Sequence, residues 1–341
     1  MKVTIQQIAD VAGVSRGTVD RALNHRGRIN PEVAEMIQKT ADELGYVHKQ
    51  RKRTNGSKKK KKIGVITQLS KSSFMLEVLR GIQTAKKEMD ELGIEVIVKE
   101  NDSVLEKEQM EAINELLKED IDGLAIMPVE SEKIREKLNW LITEKGIPVI
   151  TFNSDIVGTK RCCFVGMNNS QSGRTAAGLF HMLTKGIGKI LIVTGYFSSP
   201  LNNARVDGFV EELKVIAPKL EIAGVQGSFN DSKEVEKIIE NAMMNISGIN
   251  GIYVVSGGQS GIREAFGKLR MDQRPYVLIY DQTAKNEKLL KDNIVDFLID
   301  QNGFEQGYRP VRLLFDLLVN GVVPKEDCLY TGINIKTKYN L

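Results

Sequence analysis

Polar side chains that can pair hydrogen-bond donors with acceptors follow several short apolar runs in this sequence. Buried parallel strands read as such continuous apolar runs, and ligands of open α/β sheets bind beyond the carboxyl ends of their strands. Amide, hydroxyl and carboxylate groups gathered there could bind a polyhydroxylated ligand through paired hydrogen bonds. The residues at these predicted strand ends are Gln68, Asn153, Ser154, Asp155, Ser256, Asp281 and Gln301.

The sequence lacks the motifs of metal-dependent and nucleophilic catalysis. Its three histidines, His25, His48 and His181, are scattered, and no H-E-x-x-H, C-x-x-C or G-x-S-x-G pattern occurs. The glycine-rich stretch 256–261 follows a predicted strand, but Ser256 stands where the dinucleotide-binding pattern G-x-G-x-x-G requires its first glycine. We therefore expect no enzyme activity, no cofactor and no metal ion.

Amphipathic helical segments alternate with the apolar runs from Ile63 onward. Strands joined by helical crossovers form doubly wound α/β folds, and about ten strands are more than one small sheet needs. The sequence therefore predicts two Rossmann-like lobes, the first at about 63–160 and 302–328 and the second at about 161–301 and 329–341. The predicted strands are IGVIT, EVIVKE, GLAIMP, PVITFN, CCFVG, KILIVTG, GIYVVS, YVLIYD and VDFLID, and the predicted helices are 75–92, 106–118, 131–145, 170–185, 202–216, 232–245 and 259–269.

Three short helices precede this α/β part. Thr4 with Gln7 forms a capping box, Gly13 can end the first helix with a positive φ, Ser15 is an N-cap, and Asn30 before a proline starts the third helix. This pattern is typical of a helix-turn-helix, although a helical cap without DNA-binding activity has the same shape. The residues predicted to face inward are Ile5, Ile8, Ala9, Val11, Val19, Ala22, Leu23, Val33, Met36, Ile37, Ala41 and Leu44.

Positive charge is concentrated at the N-terminus. Residues 1–62 hold 15 Lys and Arg against 6 Asp and Glu, a net charge of +9, whereas the entire chain carries +4. A basic segment on an acidic body favours binding to nucleic acid, although a solvated basic tail has the same composition. We predict a helix-turn-helix domain at 1–48, a basic linker at 49–62 and an effector-binding domain at 63–341, with linker cations neutralising phosphates.

Hydropathy and cysteine usage indicate the compartment. No stretch reaches the roughly 18 apolar residues of a membrane span, and no secretory signal is present, so we expect a cytoplasmic protein without membrane contacts. Cys162 and Cys163 are adjacent and Cys328 is distant, which suits buried thiols better than a disulfide framework.

The stretch TIQQIADVAGVSRGTVDRALN, with Gly45-Tyr46 after the third helix, resembles the N-terminal domain of the LacI family of bacterial transcription regulators. The body resembles sugar-binding periplasmic proteins, particularly the ribose-binding type, to which the effector domains of that family are related. The resemblance implies a homodimer that binds double-stranded operator DNA. It also implies an effector (a sugar, polyol or sugar acid) between the lobes, and ligand-relieved repression as the usual arrangement.

The resemblance also implies DNA-contacting residues. Arg16 and Gly17 fall at the base-reading positions of the family, and Arg16 could contact guanine through two hydrogen bonds, whereas Gly17 has no side chain with which to select a base. The family usually has a hinge helix that inserts a leucine into the minor groove; this chain has Asn55-Gly56 there, so we expect a polybasic hinge instead. Further contacts are expected from Thr4, Ser15, Thr18, Arg21, Asn24, Arg51 and Arg53.

On the ligand side, the resemblance assigns Phe74 and Phe229 as aromatics that stack on a sugar ring. It assigns Arg205 as a clamp for hydroxyls or a carboxylate, Asp281 as an acceptor of two hydroxyls, and Gln301 as an amide of the hinge strand. The remaining candidates are Gln68, Ser72, Asn153, Ser154, Asp155 and Ser256. A solute-binding receptor without a transcriptional role is the alternative, but it would require export and would not explain residues 1–62.

Overall fold

The computed structural model describes residues 3–23, 29–44, 46, 60–269 and 273–341. The chain forms two compact units, Met1–Lys59 and Lys60–Leu341. The helices of the first unit are α1 Ile5–Ala12, α2 Arg16–Leu23 and α3 Pro31–Glu43.

The predicted caps of the first unit are confirmed. The backbone N–H of Gln7 donates to Thr4 Oγ1 (3.3 Å), and the N–H of Thr4 donates to Gln7 Oε1 (2.8 Å). Gly13 adopts a φ of +65°, and the N–H of Thr18 donates to Ser15 Oγ (3.1 Å). The Asn30 side chain accepts the N–H of residue 32 at 2.9 Å. These hydrogen bonds satisfy donors that a helix start leaves unpaired.

The core of the first unit is narrower than predicted. Val11, Met36 and Leu44 are exposed, because each short helix buries only a stripe of residues three or four apart. On α3 that stripe has a spacing of four, from Val33 through Ile37 to Ala41, which leaves Met36 and Leu44 outside it. The buried residues of this core are Ile8, Ala9, Val19, Ala22, Leu23, Ile37 and Ala41.

The second unit contains two six-stranded sheets with helices on both faces. Its strands are β1 Lys62–Thr67, β2 Glu95–Glu100, β3 Gly123–Ile126, β4 Val149–Phe152, β5 Cys163–Met167, β6 Gly188–Thr194, β7 Leu220–Gly227, β8 Ile249–Val254, β9 Tyr276–Tyr280, β10 Phe297–Asp300, β11 Cys328–Thr331 and β12 Asn334–Lys336. Its helices are α4 Met75–Glu91, α5 Glu106–Lys118, α6 Glu132–Thr143, α7 Asn169–Thr184, α8 Pro200–Ile216, α9 Ser232–Asn245, α10 Gly261–Leu269, α11 Ala284–Lys291 and α12 Gly303–Phe315, and α12 continues into a π-helical turn, Asp316–Asn320.

The strand orders are β11-β5-β4-β3-β1-β2 in the first sheet and β12-β10-β9-β8-β6-β7 in the second. All pairings are parallel except that of β10 with β12. The nine predicted strands are present, and the two-lobed doubly wound fold is confirmed. The first lobe extends to Met167 instead of ending near residue 160, because β5 hydrogen-bonds to β4. Residues 328–331 also belong to that lobe, because β11 pairs with β5.

Three chain connections join the lobes, and all three lie on the same side of the sheets. The connections begin after β5 and β11 of the first sheet and after β10 of the second. Each of these strands is the first or second strand at the same end of its sheet. The opposite ends, β1–β2 in the first lobe and β6–β7 in the second, are therefore farthest from the hinge. A cleft between the lobes must open on that far side.

Among the described residues, glycines bring three helix pairs into backbone contact; in the α9–α10 pair a Cβ on Gly261 would stand 1.9 Å from the Ser232 carbonyl oxygen. A Cβ placed on Gly81 of α4 or Gly307 of α12 would stand 2.1 or 2.0 Å from a carbonyl oxygen of the other helix. Gly173 of α7 and Gly208 of α8 pack in the same way, with distances of 2.0 and 2.2 Å. The contact on α8 is the carbonyl of Arg205, so the α7–α8 packing fixes the position of that residue.

Candidate functional site

The second helix of the first unit, α2, presents charge on one side and packs with the other. Arg16, Gly17 and Arg21 are exposed, whereas Val19 faces the core together with its neighbours Ala22 and Leu23. These positions follow from the 3.6-residue period of the helix. The exposed face therefore carries two guanidinium groups beside a residue without a side chain.

Of the two capping hydroxyls, that of Ser15 lies at the start of this helix. Thr18 is half-buried, and its Oγ1 lies 2.8 Å from Ser15 Oγ. Thr4 and Ser15 are exposed at the starts of α1 and α2, where the helix dipole favours an anion. The predicted contacts Asn24, Arg51 and Arg53 lie outside the described residues.

Arg205 is the central cation of the second lobe. It extends from α8 and is only 3% exposed. Its Nε donates to Asn169 Oδ1 (2.9 Å) and its Nη1 to the carbonyl of Val255 (2.8 Å), and its guanidinium lies 3.9 Å above the centre of the Tyr280 ring. A guanidinium has five N–H donors, so these contacts fix its plane and leave donors for a ligand.

Asp281 and Gln301 stand next to this guanidinium at the ends of β9 and β10. Gln301 Nε2 donates to Asp281 Oδ1 (2.6 Å), and Arg205 Nη2 donates to Gln301 Oε1 (3.4 Å). Burial raises the pKa of Asp281, while the charge of Arg205 and the hydrogen bond from Gln301 oppose that rise. Asp281 also adopts a φ of +74°, a conformation that a non-glycine residue keeps only where the surroundings enforce it.

A chain of amides connects this group to the first lobe. Asn153, at the end of β4, donates from Nδ2 to Gln306 Oε1 (2.9 Å), and Gln306 Nε2 donates to the carbonyl of Gln301 (2.8 Å). Thr331 of β11 donates to the same carbonyl at 2.9 Å. Gln306 is fully buried in α12. Gln301 is therefore held by side chains of both sheets.

Two candidates in the first lobe bind the chain that follows β3. Gln68 Nε2 donates to the carbonyl of Met127 (2.6 Å), and Ser154 Oγ donates to the carbonyl of Pro128 (2.9 Å). These hydrogen bonds shape the floor at the carboxyl end of the first sheet. They also leave Gln68 Oε1 as a group for a ligand, since the bond uses only the amide nitrogen.

Asp155 is not brought into the cleft network. Both of its carboxylate oxygens accept hydrogen bonds from Arg161, at 2.6 to 2.9 Å, and Oδ1 also accepts from Thr151 (2.7 Å). Arg161 in turn bonds Asp327 at 2.8 Å. The pair joins the loop after β4 to the chain before β11, and the contact of Asp155 with a ligand stays a prediction.

The two candidates after β1 differ in their surroundings. Ser72 is exposed in the turn before α4. Phe74 is half-buried and packs against the first-lobe core, where a Cβ on Gly303 would stand 3.1 Å from its ring. Phe74 therefore lies beside the start of α12, and its stacking on a sugar ring stays a prediction.

Phe229 projects outward at the end of β7. Its ring makes an edge-to-face contact with Tyr196, with centroids 5.5 Å apart. Ser256, at the end of β8, is buried, and its hydroxyl has no hydrogen-bond partner among the described residues. A buried hydroxyl without a partner is costly, so this oxygen is suited to accept or donate to a ligand.

Sequence reasoning missed Asn169, Gln306 and Tyr280. Asn169 lies two residues after β5, at the start of α7, so its place near a strand end was a usable signal. Gln306 lies within a helix and Tyr280 within an apolar run, and neither position shows its partner in the sequence.

Within residues 3–23, 29–44, 46, 60–269 and 273–341, no three His, Cys, Asp or Glu side chains are placed to hold a metal ion. No helix in the same ranges is both long and apolar enough to span a bilayer.

Comparisons with known proteins agree with both units. The periplasmic binding protein domain matches residues 63–321, and the family of bacterial regulatory proteins called lacI matches residues 4–48. Catabolite control protein A of Priestia megaterium is 28% identical over 247 residues, which cover 70% of this chain and 71% of that protein. The sucrose operon repressor of Lactococcus lactis subsp. lactis is 24% identical over 352 residues, which cover 99% of this chain and 97% of that protein.

A solved structure shares the fold of the second unit. It is the sugar-binding protein of a sugar ABC transporter from Bacillus halodurans, with a TM-score of 0.75 and 21% identity, covering 82% of this chain and 98% of that one. The named relatives are regulators and a sugar-binding protein rather than enzymes. The helix-turn-helix in front of a two-lobed periplasmic-binding-protein domain, together with these matches, places the chain in the LacI family of bacterial regulatory proteins.

Proposed function

We propose that this regulator works as a homodimer whose two heads bind the half-sites of a pseudopalindromic operator. A small molecule with several hydroxyls (a sugar, polyol or sugar acid) binds between the lobes and changes the affinity for DNA. A two-fold symmetric protein matches a two-fold symmetric DNA site, which is the geometric reason for a dimer.

The exposed face of α2 supports the DNA-binding part of the proposal. Arg16 can donate two hydrogen bonds to guanine in the major groove, and Arg21 can neutralise a phosphate. Gly17 offers no side chain to a base, so selection at its position is weak. The Arg16 side chains of the two protomers then make the main contribution to the selection of bases in the operator.

The group formed by Arg205, Gln301 and Asp281 is the observation that carries the ligand proposal. The Gln301 amide hydrogen-bonds both the Arg205 guanidinium of α8 and the Asp281 carboxylate, which brings a fixed cation, an amide and a carboxylate together in the second lobe. Vicinal hydroxyls can donate to the carboxylate and accept from the guanidinium at the same time. The orphaned hydroxyl of Ser256 adds a third polar contact.

The amide chain through Gln306 supports coupling between ligand and DNA. A ligand bound at Asp281 contacts a group that is already hydrogen-bonded to Gln301, and Gln301 is tied through Gln306 to Asn153 of the first lobe. Allostery requires that the ligand bind two conformations with different affinities. A change in the angle between the lobes alters this chain and so gives that difference.

The test measures ligand and DNA binding on the full chain. A thermal-shift panel of sugars, polyols and sugar acids should give a hit, because a ligand at 100 times its Kd adds about 2.7 kcal/mol to stability. The shift should disappear in Arg205→Ala and in the isosteric Asp281→Asn. It should persist in Arg174→Ala, which removes a partly exposed arginine of α7.

The DNA arm uses selection from a random duplex library. The full chain should enrich a pseudopalindrome, and the ligand found in the panel should change the Kd for it. A panel without any hit, or enrichment of no symmetric site, would overturn the corresponding half of the proposal.

A further inference from the structure

Exposed apolar side chains stand on the open side of the cleft, away from the polar group near the hinge. Asp281 and Gln301 follow β9 and β10, near the hinge end of the second sheet. At the far ends, the loops after β1, β2, β6 and β7 each expose large apolar side chains. These residues are Leu69, Val104, Leu105, Tyr196, Phe197 and Phe229, each 42–62% exposed, and we call them the rim.

The rim is ordered rather than a set of loose side chains. Tyr196 and Phe229 meet edge to face, and the N–H of Phe229 donates to the carbonyl of Gly195 at 3.0 Å. In the first lobe, the N–H of Ser70 donates to the carbonyl of Asn101 at 3.1 Å, which joins the loop after β1 to the loop after β2. Two fixed apolar surfaces therefore stand at the mouth, one on each lobe.

Unpaired hydroxyls lie behind the rim in both lobes. In the second lobe, Thr194 and Ser256 are buried, and neither hydroxyl has a partner among the described residues. In the first lobe, Thr67 at the end of β1 is also buried, and its hydroxyl has no partner among those residues. A Cβ on Gly195 would stand 3.2 Å from Cβ of Ser256, so Ser256 lies directly behind the loop that carries Tyr196. Buried hydroxyls of this kind point to a ligand with polar groups at that depth.

We infer that the effector is a glycoside with an aromatic aglycone rather than a free sugar. Its hydroxylated ring binds near Arg205 and Asp281, and its flat apolar group lies between the two halves of the rim. Closing the lobes on the aromatic group then removes the rim from water. A free sugar, even one stacked on Phe229, would leave the rim residues of the first lobe exposed in the mouth. This inference rests on the proposed function, since it names the ligand class of the same cleft.

Matched glycoside pairs on the full chain test the inference. Methyl and phenyl glycosides of glucose, galactose, xylose and arabinose, in both anomers, are compared by thermal shift and then by calorimetry. For the sugar that binds, we expect the phenyl glycoside to have a Kd lower by about tenfold or more, because it buries aromatic surface that the methyl group lacks.

Variants of the rim separate this effect from the polar site. Tyr196→Ser and Leu105→Ser should each reduce the advantage of the phenyl glycoside and leave the methyl glycoside unchanged, while Tyr196→Phe should keep it. Tyr339→Ser removes an exposed aromatic near the C-terminus and is the control.

The outcomes distinguish the two proposals. Equal affinities for both members of a pair, or binding of a free sugar with no glycoside bound, would overturn the inference and leave the proposed function standing. An advantage of the phenyl glycoside that survives Tyr196→Ser and Leu105→Ser together would also overturn it. If neither the glycosides nor the panel of sugars, polyols and sugar acids binds, the inference and the proposed function fail together.

Discussion

Gly173 lies where α7 touches α8, and replacing it with alanine tests how Arg205 is positioned. The new Cβ would stand 2.0 Å from the carbonyl oxygen of Arg205 and 2.8 Å from the amide nitrogen of Phe209. Carbon and oxygen atoms approach no closer than about 3.3 Å even in favourable contacts, so the helices must separate by about an ångström. Gly178, on the same helix, has no atom within 4 Å of its Cβ position and is the matched control.

The expected magnitudes follow from two opposing effects. Alanine in place of glycine within a helix contributes about 1 kcal/mol to stability, and overpacking costs about 1–3 kcal/mol. The atoms that Gly173→Ala meets belong to the backbone and cannot rotate away, so the upper end of that range applies. We expect Gly173→Ala to lower the free energy of unfolding by about 2 kcal/mol and Gly178→Ala to raise it by about 1 kcal/mol.

Calorimetric melting of the two variants measures this difference. At about 2–4 °C per kcal/mol for a domain of this size class, their Tm values should lie about 6–12 °C apart. Gly173→Ala should also weaken ligand binding, because it displaces the chain that carries Arg205, whereas Gly178→Ala should not. Two variants that melt within about 2 °C of each other would refute the close packing from which the prediction is made.

Three further perturbations have defined outcomes. Burial raises the pKa of Asp281, so the contribution of this carboxyl group to stability is present at low pH and is lost as the pH rises through that pKa. Asp281→Asn should therefore raise the Tm of the ligand-free protein at pH 7. Thermal melts across pH should show a smaller gain at pH 4. Burial raises the pKa of the Cys163 thiol to about 11, so this thiol should resist a disulfide reagent at pH 8 until the chain is unfolded by denaturant. Arg16→Ala should weaken binding to the selected operator by about 1–3 kcal/mol and relax selection at one base pair per half-site, whereas Arg21→Ala should mainly reduce the salt dependence in filter-binding or anisotropy assays.

Local signals predicted most of the fold because their causes are local. The capping box at Thr4, the positive φ at Gly13 and the N-cap at Ser15 depend on neighbours within three or four residues. The missed strands depend on distant partners. β7 carries Gly224 within it and forms an edge, and β11 and β12 are short strands whose pairing with β5 and β10 is decided far along the chain.

The candidate site shows the same division. Asp281 and Gln301 were predicted because each follows an apolar run, and the parallel sheet does bring them together. Asp155 follows such a run as well, but Arg161, six residues later, binds its carboxylate. Spacing along the chain cannot decide which partner a carboxylate takes when the loop between them folds back, so the sequence alone did not predict the Asp155–Arg161 pair.

Gln301 is the residue at which the proposed ligand site and the geometry of the lobes meet. Its side chain binds Asp281, and its carbonyl accepts from Gln306 and Thr331, both of which belong to segments packed in the first lobe. A buried network of this kind is costly when partly broken, so we expect a lobe movement that breaks it to be abrupt rather than gradual. Linkage then makes the coupling mutual, because a ligand that lowers DNA affinity by some factor must itself bind more weakly to the DNA-bound protein by the same factor. Measuring ligand affinity with and without operator therefore gives the sign of regulation directly.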